Sequence, residues 1–190
     1  MNPLKRRLVL ATLALASACS FQAQATLQPG EAAPDFTAPA WLAGESFDYS
    51  LADALRDGPV VLYFFPAANT PGCNIEASLF SQAVDDFAAR GVSVIGVTAG
   101  NTDQLRDFSA DKATCAGKFP VAADAGARIA ADYSATLDRK PEMSSRTSYL
   151  IGSDGRVLAV HSDMNPAQLV KRMLSAIPGD AAAGTDRTDD

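Results

Sequence analysis

Val60-Val61-Leu62-Tyr63-Phe64-Phe65-Pro66-Ala67-Ala68-Asn69-Thr70-Pro71-Gly72-Cys73 is the stretch that decides how the rest of this chain is read. Its first six residues are apolar at every position and rich in β-branched and aromatic side chains, the pattern of a strand buried on both faces. Two prolines and a glycine then break that strand into a turn. Beyond Cys73, Ile75 and Leu79 recur at helical spacing, as do Phe80, Val84 and Phe87, which predicts an amphipathic helix stopped near Gly91. Cys73 therefore falls on the first turn of a helix that follows a buried strand.

A thiol in that position meets unpaired backbone N–H groups and the positive end of the helix dipole, both of which favour the thiolate. The gain from ionisation alone is bounded. A thiol of ordinary pKa is already about 3% ionised at neutral pH, so full ionisation adds at most about 30-fold, or about 2 kcal/mol. Fast thiol chemistry must find the remainder in contacts aimed at charge developing in the transition state. Thr70, one turn before Cys73, is the nearest candidate to bring a hydroxyl beside the sulfur, and Pro66 to shape the loop and keep water away.

Outward from this stretch, Gly91–Thr98 reads as a second buried strand, so strand, helix and strand form a βαβ unit with a right-handed crossover. Before it, Phe36–Tyr49 predicts a small hairpin and Ser50–Leu55 a short capped helix. After it, Thr102–Ala116 reads as a helix carrying Leu105, Phe108 and, near its end, Cys115. Pro120–Asp124 reads as an edge strand or extended link, Ala125–Tyr133 as a short helix, and Ser134–Ser145 as a loop. Thr147–Ile151 and Arg156–His161 flank Ser153-Asp154-Gly155 as a hairpin, and Asn165–Ile177 is a final helix. There are no internal repeats.

The string Pro66-x-x-x-Thr70-x-x-Cys73 resembles the active-site signature of the peroxiredoxins, and Phe65-Pro66-x-x-x-Thr70-Pro71-Gly72-Cys73 with Glu76-Ala77 following is similar to the bacterioferritin-comigratory, or Q-type, branch of that family. Gly30-x-x-Ala33-Pro34-Asp35-Phe36 resembles the entry segment of the wider superfamily. The resemblance implies an α/β thioredoxin-like fold, a central mixed sheet flanked by helices. It implies a thiol peroxidase acting on hydrogen peroxide and organic hydroperoxides, with Cys73 as the attacking thiol and no metal or organic cofactor. It assigns Arg146, within Ser145-Arg146-Thr147-Ser148-Tyr149-Leu150-Ile151, as the cation that reaches the thiolate and the peroxide oxygens. A guanidinium suits that work because it stays charged and offers several fixed donors.

The same resemblance bears on Cys115. Many Q-type members carry a resolving cysteine five residues after the first, a position held here by Ser78; others carry it on the next helix, in a region that Cys115-Ala116-Gly117-Lys118-Phe119-Pro120 resembles. On that reading Cys115 closes a disulfide with the oxidised Cys73, which a thioredoxin-like partner reduces, and the first turn at Cys73 unwinds to let the sulfurs meet. A structural staple, or a buried thiol with no redox role, is the plainer reading of the same residue. Glu76 reads as a capping carboxylate of the helix N-terminus, and His161, Trp41 and the phenylalanines as structural.

Residues 1–25 read as an export signal: Lys5-Arg6-Arg7, an apolar run from Leu8 to Ala18 too short to span a membrane, and Ala23-Gln24-Ala25 as a cleavage site. Lipid attachment at Cys19 is the alternative processing, and in either case a periplasmic location is expected. Residues 26–178 form the expected thioredoxin-like domain and 179–190 a disordered tail. Removing the signal leaves 16 − 3 cations against 22 acidic residues, a balance of about −9, which argues against nucleic acid as a partner. A monomer or weak dimer is expected. Two other functions compete. A thioredoxin-like thiol–disulfide oxidoreductase wants C-x-x-C, but the position three after Cys73 is Glu76. A copper-binding chaperone wants clustered Cys, Met or His, but Ala77 stands four after Cys73 and His161 is the single histidine.

Overall fold

Val60, Val61, Leu62, Tyr63 and Phe64 form strand β3, and none of the five is exposed to solvent. A strand buried on both faces must lie inside a sheet covered on both sides, and that is its place here. In this computed structural model, which describes residues 26–179, β3 pairs in parallel with β4 (Ser93–Thr98) and antiparallel with β8 (Thr147–Ile151). The chain enters through a hairpin of β1 (Thr37–Leu42) and β2 (Glu45–Ser50), whose two-residue turn, Ala43 and Gly44, has both residues at positive φ, as the twist of a tight hairpin requires. With β5 (Val121–Ala123) and β9 (Val157–Ser162), these strands make a seven-stranded mixed sheet in the order β2-β1-β5-β4-β3-β8-β9.

Helices cover both faces. On one side lie α2 (Pro71–Ala88), α3 (Leu105–Ala110) and α5 (Pro166–Ser175), which with Val61, Tyr63 and Phe65 of the sheet side enclose a core containing Phe80, Phe87, Phe108, Met173 and both described cysteines. On the other, α1 (Leu51–Asp57) and α4 (Arg128–Asp132) pack over Val60, Leu62 and Phe64 with Tyr133 and Tyr149. Ser50 and Asn165 cap α1 and α5 with their side chains, as serine and asparagine commonly do. The alternation of β3 thus sorts its residues between two cores, with Tyr63 on the side of Cys73. Gly96 of β4 stands opposite Tyr63, and a Cβ there would fall 2.7 Å from the phenol oxygen, so the ring occupies space that only glycine leaves.

Three expectations need correction. Val121–Ala123 is an interior strand between β1 and β4, held by parallel pairing to β4 and by two antiparallel pairs to β1. The segment read as a loop before Arg146 contains a small second sheet, β6 (Thr136–Leu137) and β7 (Lys140–Ser144). The helix expected to reach Ala116 begins as a 3-10 turn at Thr102–Gln104 and ends at Ala110. There the Thr114 hydroxyl donates to the Phe108 carbonyl oxygen at 2.5 Å, and the backbone turns through positive φ at Ala116 and Gly117. Cys115 therefore lies in a tight turn rather than on a helix. The segment read as an export signal, Cys19 included, and the tail beyond Gly179 lie outside the described residues.

Candidate active site

The loop from Pro66 to Thr70 leaves the end of β3 and is stitched to the β4–α3 connection. Phe65 N donates to Val97 O (3.1 Å), Ala68 N to Gly100 O (3.2 Å) and Asn101 Nδ2 to Ala68 O (2.7 Å). Outside these, Asn69 Nδ2 donates to Gln104 Oε1 at 2.7 Å. The approach is close enough that a Cβ on Gly100 would lie 2.3 Å from the Pro66 carbonyl oxygen. Pro66 is thus half-buried at the tightest point of the loop. Thr70 is the N-cap residue of α2, with extended backbone; its hydroxyl, expected beside the sulfur, donates to Ala67 O at 3.1 Å.

Cys73 is the third residue of α2, behind Pro71 and Gly72, and only 1% of its surface is exposed. Pro71 suits the first helical position because a missing N–H costs nothing there. Arg146, brought in at the start of β8, aims Nη2 at the Cys73 sulfur from 3.6 Å. Its Nη1 lies 3.5 Å from Gly72 O and forms a tight ion pair with Glu76 Oε2. The space between is full: a Cβ on Gly72 would come within 3.1 Å of Nη2.

Glu76 is where sequence reasoning failed. Read as a capping carboxylate, it is in fact fully buried, one turn along α2 from Cys73, and clamps the guanidinium that faces the sulfur. Burial pushes its pKa up to about 8, against the opposing pull of Arg146. A carboxyl whose folded-state pKa is raised holds its proton more tightly folded than unfolded. Its contribution to stability is therefore fully present below the ordinary carboxyl pKa and is lost as pH rises through about 8. Glu76→Gln is expected to remove that slope. Between pH 5 and 9 the melting temperature of the parent should fall more steeply than that of the variant, by the equivalent of a few kcal/mol at most. Equal slopes in thermal melts would mean that Glu76 keeps an ordinary pKa.

Tyr63 was legible only as strand core. Its phenol is fully buried, with no hydrogen-bond partner among the described residues, and is held well above its usual pKa by burial. Negative charge at Cys115, Glu76 and Cys73 would add to that shift, and Arg146 oppose it, so this neutral ring stands among all four groups. It stacks on Phe80 at 4.3 Å and on Phe65 at 5.4 Å. Cys115 is wholly buried in the same core as Cys73, both are free thiols, and burial, reinforced by Asp111, holds the Cys115 thiol far above its ordinary pKa. Of the five residues expected to form the site, Thr70, Cys73 and Arg146 meet at the N-terminus of α2, Pro66 lies in the loop leading into it, and Cys115 lies in the same apolar cluster as Cys73. Among the described residues no group of three or more His, Cys, Asp or Glu side chains is placed to hold a metal ion.

The family model described as AhpC/TSA family matches residues 29–160, from the entry segment into β9, including every one of these residues. The chain belongs to the AhpC/TSA family. A Mycobacterium tuberculosis protein named as a candidate peroxiredoxin is 26% identical over 152 residues, covering 77% of this chain and 92% of its own. Peroxiredoxin Q of Oryza sativa subsp. japonica, a chloroplast protein, is 26% identical over 134 residues, 70% of this chain and 58% of that one. Among solved structures, peroxidoxin BcpB of Mycobacterium tuberculosis superposes with a TM-score of 0.71 at 27% identity, covering 83% of this chain and 99% of that one. The fold is thus the thioredoxin-like fold of the peroxiredoxins, and a chain of this family with such relatives is a thiol peroxidase.

Proposed function

We propose that this chain reduces hydrogen peroxide and organic hydroperoxides through Cys73, with Cys115 as the resolving thiol and a thioredoxin-like protein as reductant. The observation that carries the reading is the 3.6 Å approach of Arg146 Nη2 to the Cys73 sulfur at a helix N-terminus. The thiolate attacks one peroxide oxygen, the O–O bond breaks, and the second oxygen leaves with a proton as water or alcohol, leaving sulfenic acid on Cys73. The guanidinium and the free N–H groups of the first turn face charge that builds on the oxygens as the bond breaks. Cys115 then attacks the sulfenic sulfur, and hydroxide leaves and takes up the thiol proton as water. Because burial keeps the Cys115 thiol protonated in the folded state, this second step requires the Cys73 turn to open and both sulfurs to meet solvent.

The reading includes export: cleavage after Ala25, or lipid attachment at Cys19, places the enzyme outside the cytoplasm as a monomer or weak dimer. No helix among the described residues is long and apolar enough to cross a membrane. The test is a free-thiol count and intact mass on the reduced protein after a slight excess of hydrogen peroxide. The parent is expected to lose both described thiols into one intramolecular disulfide, while Cys115→Ser stops at a trappable sulfenic acid on Cys73. Sulfenic or sulfinic acid in both proteins would leave the peroxidase and remove Cys115 from it.

A further inference from the structure

Arg146 has a second environment. Besides facing Cys73 it lines an open cleft of about 680 Å³ between the β6–β7 hairpin and the end of β9, a volume ample for a small organic molecule. Next to it in the cleft wall runs a chain of hydroxyls: Ser145 Oγ lies 2.8 Å from Thr147 Oγ1, which lies 2.6 Å from Ser162 Oγ. The charged residues of the wall are Asp138, Arg146 and Asp163. Arg146 turns its terminal nitrogens toward Glu76, Gly72 O and Cys73, and the exposed cations Arg139 and Lys140 beside Asp138 are not part of the lining. His161 Nε2, behind Asp163, lies 3.7 Å from its carboxylate. A molecule in the cleft therefore meets two carboxylates, hydroxyls and a single cation whose terminal nitrogens are turned toward Glu76 and the thiol.

We propose that this cleft receives the organic part of a hydroperoxide, and that Asp138 and Asp163 make the enzyme select uncharged hydroperoxides over those that carry a carboxylate. The inference rests on the peroxidase reading and adds a substrate class to it. Cys73 does not itself line the cleft, but the cleft and the thiol share Arg146, so a hydroperoxide that approaches Arg146 from this side has its remaining atoms in the cleft. An anionic group there is repelled by both aspartates, and each such contact at a partly exposed site is worth a few-fold in rate. Hydrogen peroxide, with no organic part, is indifferent to the wall.

Cumene hydroperoxide and its para-carboxylate analogue separate the two cases, compared as a ratio of kcat/KM in the parent and in Asp138→Asn/Asp163→Asn with identical N-termini. At low ionic strength the parent is expected to prefer the neutral substrate about tenfold, and the double variant to prefer it no more than about threefold. Raising the salt from about 20 mM to about 0.5 M should shrink the parent's ratio in the same direction, a measurement that needs no variant. A ratio near one in the parent, or a ratio that neither the substitutions nor salt moves, overturns the selection. Hydrogen peroxide consumption by the parent, lost in Cys73→Ser, decides the peroxidase reading separately, so failure of one is not mistaken for failure of the other.

Discussion

Arg146→Met is expected to lower kcat/KM for hydrogen peroxide by about 10² to 10³-fold, the usual effect of removing one preorganised donor from developing negative charge. Among the described residues the guanidinium is the cation that faces the Cys73 sulfur, at 3.6 Å through Nη2. Its removal also strands Glu76, fully buried, without a partner. Breaking a buried pair from one side typically destabilises by about 3–5 kcal/mol, and by less where the carboxyl holds its proton, as Glu76 does below about pH 8. Lost activity in the single variant would therefore mix chemistry with folding. The double variant Arg146→Met/Glu76→Gln separates them, because it replaces the pair by neutral groups of similar length. It should regain thermal stability relative to Arg146→Met and stay as slow in stopped-flow peroxide consumption. A double variant as fast as the parent would remove Arg146 from the reaction.

Cys73→Ser is expected to abolish peroxide consumption, a fall of more than about 10⁴-fold, since a serine hydroxyl is neither ionised at neutral pH nor oxidisable by peroxide. The variant asks more than whether a thiol is needed, because Cys115 remains. That thiol is wholly buried and held protonated by its surroundings, so it cannot stand in as the attacking group. Peroxide consumption by Cys73→Ser above the blank would assign the attack to Cys115 and invert the two roles. The contrast with Cys115→Ser is direct: that protein keeps its first, single-turnover reaction with peroxide and fails only in recycling.

What the sequence disclosed and what it hid follow from how local each feature is. The placement of Cys73 on a helix after a buried strand needed only the apolar run at Val60–Phe65, the Pro-Gly punctuation and the periodicity from Ile75 to Phe87, all within one stretch. The capped helix at Ser50 and the hairpin around Gly155 were legible for the same reason. Glu76 was misread because a carboxylate near a helix N-terminus has a good local explanation, and the one that holds depends on an arginine 70 positions away. Arg146 itself could be picked from among the arginines only through its motif. Cys115 was placed on a helix because the apolar pattern of Leu105 and Phe108 runs on. The side-chain bonds of Thr114 that end the helix leave no periodic trace. The interior position of β5 is a matter of strand order, which three residues of short apolar sequence cannot specify.

The stitching of the Pro66–Asn69 loop limits how far the protein can open. Up to Asn69 the backbone and side chains are tied to the β4–α3 connection, and from Glu76 onward the helix is pinned by the ion pair to β8. Between these anchors lie six residues, Thr70 to Ile75, whose first helical positions are a proline and a glycine, both poor at sustaining a helix. As helix, six residues advance about 9 Å; extended, they reach about 20 Å. The slack stored in this short span is thus about 10 Å of chain, released without disturbing β3 or the body of α2. Local melting of one and a half turns is then the whole mechanical stroke available to the thiol, and the length of that tether, more than the strength of the core, sets which second sulfur it can reach.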